Sequence, residues 1–210
     1  MSKSCCQAKG EDLKLLAQKQ KKVLWAVLII NAAMFFVEYI SGFLSNSQAL
    51  MADSLDMLGD SFAYATSLFV IGGTLRSKVK ASQFKALLMV ILGVSVFLRV
   101  GYRFIYNLPP VVSTMTVIGV IALVANLCCL FLLTRHKDDD INFSSVWICS
   151  RNDIIANTLV LVAAYLVHIL HSPIPDLVVG LVVTWLFLKS AFSILAESKK
   201  QLQEAPAEVS

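Results

Sequence analysis

Three aspartates, Asp53, Asp56 and Asp60, stand at spacings of three and four within "ALMADSLDMLGDS", and that spacing puts all three on one face of a helix. The surrounding run is apolar. In a bilayer each central Asp costs about 2.5–3.5 kcal/mol, so three facing lipid would cost on the order of 8–10 kcal/mol and must instead face a protein interior. Paired carboxylates at that depth are tolerated only with protons or a cation. A second constellation, "WICSRNDIIAN", places Cys149 and Asp153 four residues apart, with Asn157 one turn further along the same stripe. Three carboxylates and one thiolate (Asp56, Asp60, Cys149 and Asp153) make four ligands, a set suited to a tetrahedral divalent ion such as Zn²⁺. Asp53, nearer the helix start, has a second reading as a helix cap. Arg151 and Asn152 do not suit a lipid-facing position and are supporting residues rather than ligands. Arg151 would offset negative charge or snorkel to the inner surface.

The elements that position these groups follow from composition. Of 210 residues, 57% are hydrophobic and 15% charged, and the mean hydropathy is +0.73. These values indicate an integral membrane protein. A spanning helix needs about 20 apolar residues, and six segments satisfy this: approximately 23–44, 48–73, 86–106, 111–134, 143–170 and 175–195. Backbone polar groups in hydrocarbon must be paired within their own segment, so the fold class is all-α, a bundle of six transmembrane helices. Short connections predict antiparallel neighbours in one six-helix membrane domain over 23–195. A cytoplasmic tail over 1–22 precedes it and a short polar tail over 196–210 follows. At the helical rise, Asp56 lies about 12 Å from the outer end of its segment and Asp153 about 15 Å from the inner end of its own. Both depths approach the midplane of a core about 30 Å thick.

Basic residues set the orientation. Lys3, Lys9, Lys14, Lys19, Lys21 and Lys22 occupy the first tail, Arg76, Lys78, Lys80 and Lys85 the second loop, and Arg135 and Lys137 the fourth. The loops around Ser45, Pro109 and Ser172 hold no Lys or Arg. Both termini are therefore expected in the cytoplasm, and the net charge of +4 reflects topology, not nucleic-acid binding. Arg99 and Arg103 depart from this rule and either snorkel or line the bundle. No cleavable leader is expected, because the first apolar segment is too long and lacks a small-residue cleavage site. The cysteines Cys5, Cys6, Cys128, Cys129 and Cys149 read as thiols.

Weaker candidates have plainer explanations. His136 with Asp138, Asp139 and Asp140 reads first as a solvated charge run, and His168 and His171 as interfacial residues near the outer mouth. Cys128 and Cys129 read as packing residues. Glu38 is an intramembrane acid and functional by default, with no partner evident from sequence.

"DMLGD" and "CSRND" together resemble the cation diffusion facilitator family of divalent-metal transporters, whose site is a four-spaced pair on the second helix and another on the fifth. "SNSQALMADSLDML" also looks like that family's approach to its second helix. The likeness covers about residues 20–196. It implies six helices with both termini cytoplasmic, metal ligands at Asp56, Asp60, Cys149 and Asp153, and proton-coupled alternating access exporting metal from the cytoplasm. No resident cofactor is implied: the metal is cargo and protons are the counter-ion. Two departures stand out. Zinc-type members commonly carry His where Cys149 stands, and a thiolate favours Zn²⁺ and Cd²⁺ over Mn²⁺ or Mg²⁺. The chain is also expected to lack the family's cytoplasmic C-terminal domain, so the implied homodimer would rest on membrane helices alone. The expected location is the bacterial inner membrane, and no enzymatic activity is expected. A metal-dependent lipid head-group transferase is the first alternative, but "DSLDMLGDSFAYA" lacks that class's Gly and Arg positions. An organic-cation/proton antiporter is the second, and the thiol near Asp153 disfavours it.

Overall fold

The computed structural model describes residues 21–69, 75–135 and 143–204, all in helices and short turns. Six helices follow one another: α1 Lys21–Leu44, α2 Gln48–Phe69, α3 Leu75–Tyr106, α4 Val112–Arg135, α5 Phe143–Leu170 and α6 Ile174–Glu204. Five of them, all but α2, contain a stretch long and apolar enough to cross a bilayer. The protein is a multi-pass membrane protein of all-α class. Its exterior is apolar, with Phe36, Leu98, Phe104, Phe131 and Trp185 exposed, while Asn31, Glu38, Gln48, Asp53, Arg103 and Asp176 are buried. The polar groups buried inside the bundle are kept from a lipid solvent that could not satisfy them.

The helix bearing the three aspartates is the one that cannot face lipid, and the bundle is arranged accordingly. Helix α2 touches each of the other five helices, and every residue from Ser47 to Leu55 is buried. Close approach is possible because the facing residues are small. A Cβ at Gly42 of α1 would lie 2.8 Å from Met51 Cγ, and one at Gly180 of α6 would lie 2.7 Å from Gln48 Cβ. Both glycines let a neighbouring backbone reach the first turns of α2.

A buried helix start leaves N–H groups that no water can satisfy. Here Asp176, from the first turn of α6, supplies the acceptors: Oδ2 takes a bond from Gln48 N at 2.8 Å, and Oδ1 from Ala49 N at 3.0 Å and from Ser47 Oγ at 2.7 Å. Ser47 Oγ in turn accepts from Leu50 N at 3.2 Å. Arg103 Nη1 reaches the same carboxylate at 3.3 Å, with both side chains buried, and Arg103 Nη2 donates to the Leu108 carbonyl. Arg103 therefore lines the bundle. Arg99 turns to the α1–α2 turn, donating to Phe43 O at 2.9 Å and lying 3.8 Å from the Phe43 ring centroid.

Three tight turns gather at this end, each with a residue of positive φ: Asn46 at 58°, Asn107 at 47° and His171 at 48°. Ser45 O accepts from Val111 N at 2.8 Å, which ties the first turn to the second.

Several boundaries and neighbours differ from expectation. Helix α3 begins at Leu75, not at residue 86, because Lys and Ala in "RSKVKASQFKA" favour helix although the segment is too polar to read as membrane-spanning. The residues read as a basic second loop thus lie on its first turns. Helix α6 likewise runs on to Glu204, past the expected end at 195. Consecutive helices α3 and α4 make no contact among the described residues, against the expected sequential packing. Instead α3 lies on α6, where Gly93 receives Leu188, whose Cδ2 would be 2.6 Å from a Cβ there. Ala at position 176 is expected to leave the buried Arg103 charge unpaired and to cost about 3–5 kcal/mol. Unfolding in detergent should show Asp176→Ala as less stable than the double variant Asp176→Ala with Arg103→Leu. Equal losses would mean that the ion pair carries no weight.

Candidate metal centre

The aspartates of α2 and the acid of α5 meet. Asp53, Asp56, Met57 and Asp60 line one side of a tight pocket in the bundle, and Asp153 and Asn157 line it from α5. Asn31 of α1 and Asn126 of α4 complete the wall. The two motifs lie about ninety residues apart in sequence, yet their spacing by turns lets one stripe from each helix face the same space. Two buried serines of α2 are satisfied within the helix: Ser54 Oγ donates to Met51 O at 2.7 Å and Ser61 Oγ to Met57 O at 2.8 Å.

Asp53 belongs to this pocket and is not the cap of α2, which Ser47 and Asp176 provide. Glu38, which sequence left without a partner, is fully buried against Asp53: the two carboxyl groups interact directly, and Glu38 also feels Asp56. Neither oxygen of Glu38 nor Asp53 Oδ2 receives a bond from an N–H or O–H group among the described residues. Two acceptors in contact need a proton or a cation between them. Asp53 in turn feels Asp153 across the pocket. The acids of three helices are thus electrostatically connected, in surroundings where a like-charge contact at 4 Å costs about 4 kcal/mol even at an effective dielectric of about 20.

Among the described residues no three His, Cys, Asp or Glu side chains form a ready-made ligand set. Cys149 is placed on α5 by its helix, but its side chain, with those of Arg151 and Asn152, lies outside the described ones. His136, Asp138, Asp139 and Asp140 and the pair Cys5 and Cys6 also lie outside the described residues. His168 and His171 are exposed, with ring centroids 6.4 Å apart, away from the pocket. Cys128 is exposed and Cys129 buried, where it accepts a bond from Asn31 Nδ2 at 3.5 Å.

Sequence reasoning passed over Asn31, Asn126 and Asp176. A single amide in an apolar run shows no periodicity, but all three fall under the rule that a polar group inside a membrane segment needs a reason.

Residues 24–203 match the family model of the cation efflux transmembrane domain. The chain belongs to the cation efflux family. It is 28% identical over 204 residues to the zinc transporter ZitB of Pectobacterium atrosepticum, covering 90% of this chain and 63% of that protein. It is 29% identical over 206 residues to the cadmium, cobalt and zinc/H(+)-K(+) antiporter of Bacillus subtilis, covering 90% and 65%. A 133-residue stretch is 29% identical to the vacuolar zinc transporter COT1 of Saccharomyces cerevisiae, covering 56% of this chain and 30% of that one. The chain spans somewhat less than two thirds of the length of these bacterial cation efflux relatives. The family expected from "DMLGD" and "CSRND" is the family found.

The Glu38–Asp53 contact makes a local prediction. Glu38→Gln supplies an N–H donor to Asp53 and should leave stability within about 1 kcal/mol, whereas Glu38→Leu removes any shared proton and should cost about 1–3 kcal/mol. Denaturant unfolding of the metal-free protein separates the two. If Leu were tolerated as well as Gln, the acid pair would carry no structural weight.

Proposed function

We propose that this cation efflux protein is a divalent heavy-metal/proton antiporter that exports Zn²⁺ or Cd²⁺ from the cytoplasm across a bacterial inner membrane. The observation that carries the reading is the shared pocket, in which Asp53, Asp56 and Asp60 of α2 face Asp153 of α5 inside the bundle. Relatives named as zinc transporters and as a cadmium, cobalt and zinc antiporter agree with it. Asp56, Asp60, Cys149 and Asp153 are the proposed ligands.

The chemistry follows from these residue types. A carboxylate or thiol that binds metal must first lose its proton, so metal and protons compete for one site. Metal taken from the cytoplasmic side would be released on the other by incoming protons, provided the bundle opens to one side at a time. No separate cofactor enters this cycle. Softness sets the preference: a thiolate from Cys149 favours Cd²⁺ and Zn²⁺ over Mn²⁺. A homodimer through the membrane helices is part of this reading, on the strength of the family resemblance. Light scattering in detergent that returned the mass of a single chain would remove it.

In proteoliposomes with an imposed pH gradient, the wild type is expected to move Zn²⁺ or Cd²⁺. Asp153→Ala and Asp56→Ala should lose nearly all of this transport, and Cys149→His should lower the Cd²⁺:Zn²⁺ ratio. Normal metal flux in Asp153→Ala, or no metal movement by the wild type under any gradient, would refute the assignment.

A further inference from the structure

The carboxylates are not the only residues with acceptor groups that line the pocket. Asn31 and Asn157 are each 1% exposed, and both line it. Each amide is fixed by its own helix: Asn31 Nδ2 donates to Val27 O at 2.9 Å, and Asn157 Nδ2 to Asp153 O at 2.9 Å. Flipping either amide would set its oxygen against a carbonyl oxygen, so the orientation follows from the bonds. The consequence is that Oδ1 of each side chain is buried, and neither has a hydrogen-bond partner among the described residues. A buried amide oxygen without a donor costs about 1–3 kcal/mol. Two of them bordering one acid-lined space call for a common positive partner. The wall otherwise offers carboxylates, a thioether from Met57 and the Asn126 amide. None of the lining residues is Lys or Arg.

We propose that Asn31 and Asn157 donate their amide oxygens to the transported cation, so that the ion is held by more than the four ligands of the paired motifs. This inference rests on the antiporter reading above and deepens it by naming two residues that set metal selectivity. Amide oxygens are hard, neutral donors. They add coordination number without adding charge, and so suit ions that accept five or six ligands, such as Co²⁺ and Mn²⁺, more than a strictly tetrahedral Zn²⁺. Together with a thiolate on α5 they make a mixed site that holds Cd²⁺ by its sulfur and Co²⁺ by its oxygens. Asn31 has a further effect, because it brings α1 into the ligand shell beside α2 and α5. Binding would then draw together helices that make no direct contact, since α1 and α5 do not touch among the described residues.

The test uses the purified protein in detergent, stripped of metal and titrated with Co²⁺, Mn²⁺, Zn²⁺ or Cd²⁺ alone. The Co²⁺ complex of the wild type is expected to show the weak visible bands of five- or six-coordinate cobalt. Intense tetrahedral bands would overturn the proposal without need of any variant. Asn31→Leu and Asn157→Leu, checked for folding by gel filtration, are each expected to weaken Co²⁺ and Mn²⁺ by about tenfold and to change Cd²⁺ much less. Asn31→Asp and Asn157→Asp keep an oxygen donor and should restore Co²⁺ binding. Parallel losses for all four ions, or no loss for any, would overturn it, as would folded Asp variants that fail to restore Co²⁺. The two readings separate cleanly. A wild type that binds none of the ions overturns the antiporter site and this inference with it. A wild type that binds, loses the ion in Asp153→Ala and ignores the Leu substitutions overturns only the role of the asparagines.

Discussion

The structure depends on how the start of α2 is satisfied inside the bundle. A helix beginning in a dry interior presents N–H groups that only another part of the chain can bond. Asp176 meets that requirement from α6, accepting from Ser47 Oγ and from two backbone N–H groups, and Arg103 of α3 balances its charge. One carboxylate thereby joins three helices. The negative charge also sits where the helix dipole favours it. With its start anchored, α2 enters the bundle at a fixed depth and rotation, and the stripe of Asp53, Asp56 and Asp60 is aimed at α5 instead of lipid.

The second constraint is the cost of those acids. Over the described residues α2 lacks the stretch long and apolar enough for a membrane span that the other five helices have, and it is the helix that touches all the others. The two facts have one cause. A polar helix is stable in lipid only when apolar helices replace the lipid around it, and glycines at 42 and 180 let α1 and α6 approach closely enough to do so. The same arrangement places the acids on the helix that touches all the others, which gives the proposed exchange of metal for protons a physical route to the rest of the bundle.

Much of this was legible in the chain. Apolar runs located the helices, and α5 occupies the expected segment, Phe143–Leu170. The spacing of the acids put Asp53, Asp56 and Asp60 on one face and pointed that face inward. Hydropathy failed where helix and membrane span are different things: the first turns of α3 and the last of α6 are helical but polar, so their ends were set too short. It also passed over Asp176 and Asn31, and it singled out Glu38 without naming its partner. Each is a lone polar residue in an apolar run, and its meaning lies in a partner elsewhere in the chain.

What the sequence determined by itself was therefore local: helix content, the inward faces of α2 and α5, and the membrane as solvent, because each follows from the spacing and polarity of neighbouring residues. Which helices touch was decided only in three dimensions. That α3 leaves α4 for α6 follows from a glycine that receives Leu188 and from an ion pair between Arg103 and Asp176. That Glu38 meets Asp53, and that two asparagines line the acid pocket, follows from the way α1 and α5 flank α2. Contacts of this kind are set by shape and charge between residues remote in the chain, and no periodicity along one strand of sequence encodes them.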